Sequence, residues 1–276
     1  MATPIGNLAD LTLRAIHVLG LVNAVACEDT RVSAALLRHL GLDKPLLALH
    51  QHNEQQASGQ VLQRLAAGER VAYVSDAGTP AVSDPGAALV ARVAAAGHRV
   101  LPIPGASSAL AALSVAGDAR SSGFTFAGFL PARGAERAAA LRALAQAPVA
   151  QVLFEAPHRI TTLAAELAAL LPQRRLTLCR ELTKQFETVH TLPAAQLPAW
   201  LAADAMRLRG EFVLVLHAPP PDDGPADALP SAATDMLAVL LRELPLKQAV
   251  SLTAELSAAP RNALYQAALR LKADAP

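Results

Sequence analysis

At residues 71–86 the chain reads VAYVSDAGTPAVSDPG. The first four residues favour a buried strand, and the turn residues that follow at once predict a loop at the carboxyl end of that strand. Residues 86–96 then have the apolar spacing of a helix. Strand, polar loop and helix in this order are typical of βαβ units, which build parallel sheets.

The same order of elements continues on both sides of this stretch. Further strands are predicted at residues 24–27, 46–49 and 100–103, and helices at residues 11–22, 32–40 and 54–67. We therefore predict an open, mainly parallel α/β sheet in an N-terminal domain over residues 1–117.

A second α/β domain is predicted over residues 118–217. Its strands are expected at residues 124–129, 151–154, 176–179 and 212–216, and its helices at 135–145, 160–171 and 194–203. Residues 218–230 are rich in proline and aspartate and predict a linker, because proline continues neither a helix nor a central strand. Residues 231–276 predict a small tail of three helices at 232–244, 246–257 and 261–271.

Composition excludes several classes of protein. Of the 276 residues, 53% are hydrophobic and 17% are charged, and the net charge is +1, which argues against a disordered chain or a histone-like binder. A nucleic acid would have to be bound by local basic patches. The chain has two cysteines, Cys27 and Cys179, each inside an apolar run that predicts a buried strand, so they build neither a disulfide framework nor a four-ligand zinc site. This favours a reducing cytoplasm. We expect neither a membrane span nor a secretion signal.

Four loops that follow predicted strands are expected to form the ligand crevice, because ligands bind at the carboxyl ends of strands in open α/β sheets. The loop at residues 75–86 has neither a dinucleotide fingerprint nor a P-loop, which disfavours a phosphate-rich ligand. We interpret Asp76 as a ligand contact. Asp84 has two open interpretations, ligand contact or a cap of the helix that follows it. Ser107 and Ser108 likewise either bind a polar ligand or cap a helix.

Acidic and basic side chains stand together after two strands of the second domain. They lie in the segments 155–159 and 180–187. Such groups orient hydroxyls, contact phosphates or accept protons, and a structural ion-pair network is the open alternative. His50 and His52 are interpreted as polar lining, and no metal site is predicted.

Taken together, these segments resemble the small-subunit ribosomal RNA 2'-O-methyltransferases of the RsmI type, within the tetrapyrrole methylase fold family. The tail resembles the small helix-turn-helix-like tail of the same group. The resemblance rests on residues 3–8 with Asp10, 27–31, 50 with 53–54, 75–80, 83–86, 102–108, 129–131, 154–159 and 180–184.

The resemblance implies a two-domain tetrapyrrole-methylase-like fold and an S-adenosylmethionine-dependent enzyme. It implies methylation of the ribose 2'-hydroxyl of a cytidine in the decoding region of 16S rRNA in the 30S subunit, by a homodimer. Carried over residue by residue, the cofactor cleft of the family falls on Pro4, Ser75, Asp76, Ala77, Thr79, Ser107, Ser108, Glu155 and Ala156.

The resemblance does not decide which group deprotonates or orients the hydroxyl. The candidates are Glu181, Lys184, Glu155 and His158. Residues expected to contact RNA are Arg31, Arg159 and Arg180, with Arg133 and Arg137 as a local basic surface. The alternatives are a methyltransferase of the same fold acting on a tetrapyrrole or a protein side chain, and a non-enzymatic nucleic-acid-binding sensor of a metabolite.

The chain departs from the family pattern at its start. In the family a strand precedes the Thr-Pro-Ile-Gly-Asn loop, whereas only Met1 and Ala2 precede it here. We therefore expect an interior strand to be missing from the first sheet, because the start codon is placed too late or because the product is impaired.

Overall fold

The computed structural model describes residues 1–50, 53–220, 229, 231–257 and 259–273. The chain forms two compact units, Met1–Pro219 and Pro220–Pro276. Most of the predicted linker, residues 221–228 and 230, lies outside the described residues, as does His52. The division of the first unit after residue 117 stays a prediction.

The first sheet is parallel, as predicted. Its strands are β1 (Ala24–Cys27), β2 (Leu46–Ala48) and β3 (Val71–Val74), in the order β2-β1-β3. The helices of this region are α1 (Leu13–Leu21), α2 (Thr30–His39), α3 (Glu54–Ala66) and α4 (Ala87–Ala95). Every residue of β1 is buried, as expected for a central parallel strand.

The prediction of a strand at residues 100–103 is wrong, because this segment forms no strand. A strand needs a hydrogen-bonded neighbour, and here a single bond links Ala2 N–H to the Ile103 carbonyl at 3.2 Å. The amino group of Met1 donates to the Tyr73 carbonyl at 2.8 Å, and Thr3 forms an isolated bridge with Gly78. The first three residues thus lie between β3 and residue 103 without forming a strand of their own.

The second sheet is mixed and has five strands in the order β4-β5-β8-β6-β7. β4 and β5 pair in parallel, and the other pairs are antiparallel. The strands are β4 (Phe124–Phe129), β5 (Ala150–Glu155), β6 (Arg175–Arg180), β7 (Thr188–Pro193) and β8 (Phe212–Leu216). The sequence did not predict β7, because an edge strand with mostly half-buried residues has no continuous apolar run.

Helices cover both faces of the second sheet. They are α5 (Ser108–Ala116), α6 (Gly134–Gln146), α7 (Ile160–Leu170) and α8 (Leu197–Ala202). Strand β8 shows how the two cores are built, because its residues alternate between them. Leu214 packs in the cluster that contains α7 and α8, whereas Val213 and Val215 pack in the cluster that contains α5. All five residues of β8 are therefore buried.

The C-terminal unit is a three-helix structure, as predicted. Its helices are α9 (Ser231–Glu243), α10 (Leu246–Ser257) and α11 (Arg261–Ala273). Leu237, Val250 and Leu264 are among its buried core residues. In the described parts of both units, no helix has the length and apolar character needed to cross a membrane.

Candidate active site

A cavity of about 340 Å³ lies in the first unit, within the range of about 300–1,000 Å³ that is usual for small-molecule sites. It is formed by the loop after β3, the start of α5, the carboxyl ends of β4 and β5, and the amino end of β8. Its polar and aromatic lining comprises the hydroxyls of Thr79, Ser83, Ser107 and Ser108, the carboxylates of Asp84, Glu155 and Glu211, and the rings of Phe129, Phe154 and Phe212.

The cavity brings together six of the nine residues expected to bind the cofactor. These are Ala77, Thr79, Ser107, Ser108, Glu155 and Ala156. Pro4, Ser75 and Asp76 lie outside the lining. The Ser75 hydroxyl is buried and donates to the Gly78 carbonyl at 3.2 Å, and Asp76 Oδ1 accepts from the Asp29 N–H at 2.9 Å. In this structure Ser75 and Asp76 therefore shape the loops behind the cavity.

Three hydrogen bonds tie the loop after β3 to its neighbours. Thr3 and Gly78 exchange backbone hydrogen bonds of 2.9 and 3.0 Å, and the Thr79 hydroxyl donates to the Ala106 carbonyl at 3.1 Å. Gly78 has φ of 76°, a conformation that costs glycine little. Ser107 accepts from the Leu110 N–H at 3.5 Å and also lines the cavity, so its two interpretations are compatible.

Asp84 does not cap α4, so this alternative is wrong. The N-cap residue is Gly86, which has no side chain. The cap comes from α3, where Glu54 Oε1 accepts from the N–H groups of Gly86 and Leu89 at 3.2 and 3.3 Å. Burial raises the pKa of Asp84. A hydrogen bond with Ser75 lowers this pKa, and the charge of Asp76 raises it further. Asp84 is therefore available to a ligand in the cavity.

Glu155 is fully buried at the wall formed by β5. Its Oε1 accepts from the Ala156 N–H at 2.9 Å and lies 3.1 Å from Arg159 Nε. Its Oε2 lies 3.9 Å from Arg137 Nη2. Because two guanidinium groups compensate the buried charge, Glu155 holds the turn at residues 155–159 in place.

Lys184 lies outside the cavity lining, between two carboxylates of which one, Glu211, lines the cavity. Its Nζ is 3.0 Å from Glu181 Oε1 and 3.0 Å from Glu211 Oε2. Burial alone would lower the pKa of Lys184, but hydrogen bonds to Glu181 and Glu211 raise it. Burial would raise the pKa of Glu181, but the Glu211 N–H and Lys184 lower it. Lys184 is thus an ammonium donor at neutral pH, and Glu181 is ionised.

Glu211 lines the cavity but was not among the site residues predicted from the sequence. The predicted ligand loops follow the carboxyl ends of strands, whereas Glu211 immediately precedes β8, at the amino end of that strand. Because β8 is antiparallel to β5 and β6, Phe212 pairs with both Glu155 and Arg180. The only local signal was an acidic residue between Gly210 and an apolar run.

The arginines expected to contact RNA differ in exposure. The side chain of Arg31 is 89% exposed and pairs with Asp29, and Arg133 is also exposed. Arg137 is 5% exposed and donates to Glu166 at 2.9 Å, while Arg180 is 9% exposed and donates to the Phe186 carbonyl at 3.0 Å. These two guanidinium groups are used inside the protein, which does not fit phosphate contact.

The remaining candidates occupy other positions. Arg159 pairs with Glu155 and donates to the Leu130 carbonyl at 2.7 Å, so it is also an internal support. His158 is exposed and lies outside the cavity lining. Within the described residues, no three histidine, cysteine, aspartate or glutamate side chains are grouped so that they could hold a metal ion.

Comparison with known proteins identifies the family. Residues 2–198 match the model of the tetrapyrrole (corrin/porphyrin) methylases, and residues 227–272 match the RsmI C-terminal helix-turn-helix domain. The chain belongs to the tetrapyrrole methylase family. It is 45% identical over 271 residues to ribosomal RNA small subunit methyltransferase I of Pseudomonas aeruginosa, covering 98% of this chain and 95% of that protein. The chain is 46% identical to the Escherichia coli O157:H7 protein of the same name, and the match covers 97% of this chain and 92% of that protein.

Two solved structures share the fold. Diphthine synthase superposes with a TM-score of 0.61 at 17% identity, covering 78% of this chain and 87% of that one. A uroporphyrin-III C-methyltransferase from Thermus thermophilus, complexed with S-adenosylhomocysteine, superposes with a TM-score of 0.51 at 20% identity. The match covers 76% of this chain and 92% of that one. The predicted family and fold class are therefore confirmed.

The cavity fits the methyl donor of an S-adenosylmethionine-dependent methylase. That donor carries a sulfonium cation, an amino acid zwitterion and an uncharged adenosine. Among the described residues, the lining has three carboxylates and no lysine, arginine or histidine, which suits a cation. The start of α5 adds backbone N–H groups that suit a carboxylate.

Proposed function

We propose that this S-adenosylmethionine-dependent rRNA methyltransferase methylates the ribose 2'-hydroxyl of a cytidine in the decoding region of 16S rRNA. The observation that carries the proposal is the near-full-length match to proteins named ribosomal RNA small subunit methyltransferase I. The sequence motifs that resemble the RsmI type add the ribose and the cytidine to the proposal.

The cofactor would lie in the cavity between the loop after β3 and the wall formed by β5. S-adenosylmethionine supplies a methyl group on a positively charged sulfur. Thr79, Ser107 and Ser108 place hydroxyls on one side, and Ala156 follows the buried Glu155 on the other. The aromatic rings of Phe129 and Phe154 pack edge to face, with centroids 5.6 Å apart, and form an apolar surface suited to adenosine.

The substrate hydroxyl would be positioned at the edge of the cavity where Glu211 meets Lys184. Methyl transfer is an in-line displacement, so a large part of the catalysis comes from holding the oxygen behind the methyl group. The Lys184 ammonium is suited to donate a hydrogen bond to that oxygen. Glu181 would position Lys184, because it accepts from both Lys184 Nζ and the Glu211 N–H.

RNA binding would depend on local charge, since the net charge of the chain is only +1. The exposed Arg31 and Arg133 are the candidates in the first unit for contacts to backbone phosphates. Scarce aromatic residues, 3% of the chain, disfavour reading single-stranded bases by stacking. The proposed substrate is therefore a folded rRNA region within the small ribosomal subunit.

A cytoplasmic location and a homodimer complete the proposal. They are supported by the cysteine usage and by the family resemblance. Sedimentation of the purified protein at equilibrium would give twice the mass of one chain if the dimer is correct.

Transfer of tritium from labelled S-adenosylmethionine to 30S subunits, isolated from a strain that lacks the enzyme, tests the activity. Nuclease digestion and mass spectrometry of the product should reveal 2'-O-methylcytidine in the decoding region. Label on a base, on a ribosomal protein or on a tetrapyrrole in parallel reactions would contradict the proposal. Absence of transfer to any of these substrates would favour the metabolite-sensor alternative.

A further inference from the structure

We propose that Asp84 accepts the proton that the substrate hydroxyl loses during methyl transfer. This inference rests on the proposed function, because it concerns the proton of a ribose hydroxyl. Asp84 belongs to the Ser83–Gly86 motif, which neither the cofactor assignment nor the candidate bases from the sequence include. It lines the cavity on the loop after β3.

The contacts around α4 leave the Asp84 carboxylate without a capping role. An aspartate just before a helix usually accepts from the first N–H groups of that helix. Here Glu54 accepts from two of them, the N–H groups of Gly86 and Leu89. Tyr73 Oη donates to the Pro85 carbonyl at 2.7 Å, which fixes the backbone next to Asp84. The motif therefore presents a carboxylate at the cavity on a fixed backbone.

The other two carboxylates in the described lining are engaged by cations. Glu155 is completely buried against Arg159, at 3.1 Å, with Arg137 also nearby. Glu211 Oε2 is 3.0 Å from the Lys184 ammonium, and its side chain is 78% exposed. A cation beside a carboxylate stabilises the ionised form and weakens the carboxylate as a base. Asp84 has no ion pair with a lysine or arginine among the described residues, so it is the better proton acceptor.

The groups that face Asp84 also favour proton uptake. Asp76 follows β3 and Glu28 follows β1, and each of these carboxylates interacts electrostatically with Asp84. Tyr73 lies in β3 and stays a neutral phenol at neutral pH, because burial raises its pKa. Ser75 provides a hydrogen bond that opposes their effect. Arg31, which pairs with Asp29, also interacts electrostatically with Asp76, and His50 interacts with Glu28. Burial and negative neighbours bring the pKa of Asp84 closer to neutral pH, where a general base is most effective.

The proposed step balances in atoms and charge. A bond forms between the hydroxyl oxygen and the methyl carbon, and the bond between that carbon and sulfur breaks. Sulfur keeps the electron pair and becomes a neutral thioether. The proton of the hydroxyl moves to the Asp84 carboxylate and later to solvent.

The test compares Asp84→Asn with Asp43→Asn, a matched control at an exposed loop position. We expect kcat for 30S subunits to fall by about 10²–10⁴-fold in Asp84→Asn, the usual contribution of a general base. The Kd for S-adenosylhomocysteine, measured by calorimetry, should stay within about threefold of wild type. The acidic limb of the kcat–pH profile should disappear in Asp84→Asn and persist in Asp43→Asn.

A kcat within threefold of wild type in Asp84→Asn would overturn the inference. So would a loss of S-adenosylhomocysteine affinity as large as the loss of kcat, because Asp84 would then be a cofactor ligand. If Asp84→Asn does not fold, ¹³C NMR titration of the wild-type aspartates replaces it, and an Asp84 pKa at or below the ordinary aspartate value refutes the inference. If the wild-type protein methylates something other than a ribose hydroxyl, the proposed function fails instead.

Discussion

Gly6 packs directly against Lys184, so closely that a methyl group at Gly6 would lie 3.0 Å from Lys184 Cε and nearer still to Cγ. The contact joins the loop after Thr3 to the loop after β6. It also keeps the lysine chain in the position from which Nζ reaches Glu181 and Glu211. The lack of a side chain at Gly6 is therefore a condition for the geometry of the ammonium group.

Gly6→Ala should displace Lys184 and lower kcat by about tenfold or more, because small misplacements at a reacting centre are costly. The affinity for S-adenosylhomocysteine should change little. Gly20→Ala is the matched control, since nothing lies within 4 Å of a Cβ at Gly20 in α1. Methylation assays and calorimetry on the two variants provide the measurement, and equal activities would contradict the role given to this contact.

Lys184→Ala and Glu181→Ala should each reduce turnover while leaving cofactor affinity nearly intact. Lys184 is expected to contact the hydroxyl, and Glu181 is expected to act by positioning Lys184. Comparing kcat with the Kd for S-adenosylhomocysteine separates the two effects. An equal loss of turnover and affinity would refute the assigned roles. Lys184→Arg should not restore full activity, because guanidinium and ammonium differ in geometry.

Glu54→Ala should destabilise the first unit by about 1 kcal/mol, the usual effect of removing a helix cap. Glu54→Gln retains an acceptor oxygen and should lose less. Urea unfolding followed by the fluorescence of Trp200, the one tryptophan in the chain, gives the difference in free energy. If the alanine and glutamine variants are equally stable, the carboxylate does not act as the cap of α4.

His217 should make stability depend on pH. Burial lowers its pKa below the ordinary value of 6.5, and its Nε2 lies 2.8 Å from the Thr177 hydroxyl. As the pH falls below 6.5, the unfolded chain binds a proton at this residue before the folded chain does. The contribution of His217 to stability is therefore fully present above the pKa of this residue in the unfolded chain. It is lost as the pH falls from that value to the lower pKa of His217 in the folded chain.

Urea unfolding between pH 7.5 and pH 5.5 checks this expectation. His217→Gln should show a flatter dependence on pH than wild type. His39→Gln, at an exposed position, should keep the wild-type slope. A wild-type slope in His217→Gln would show that other groups cause the pH dependence.

Strands that consist of a continuous apolar run could be predicted from the sequence with accurate bounds. β1 and β8, which are buried throughout, coincide with their predicted ranges. β3 and β4 also coincide with theirs, although they are only partly buried, because their residues are mainly apolar. β7 has no continuous apolar run, and it was not predicted. Residues 100–103 have an apolar run, but no neighbouring strand pairs with them and they form no strand. Pairing partners, which local sequence does not encode, decided both cases.

The candidate site was predictable where it depends on loops that follow strands. Thr79, Ser107 and Glu155 meet at one cavity because those loops converge. The position of Glu211 depends on the antiparallel direction of β8, and the freedom of Asp84 depends on a cap supplied by Glu54, 32 residues before Gly86. Both require the tertiary structure, as does the burial of Arg137 against Glu166.

The origin of the α4 cap has a consequence for the diversification of this enzyme. Because the Glu54 side chain, which belongs to α3, caps the start of α4, the side chains of the loop at residues 79–84 are not needed to begin that helix. Val82 is exposed and also lines the cavity, so it can be exchanged without affecting the helix. Evolution or a mutant library can therefore vary the shape of the pocket at this position while the surrounding scaffold stays unchanged.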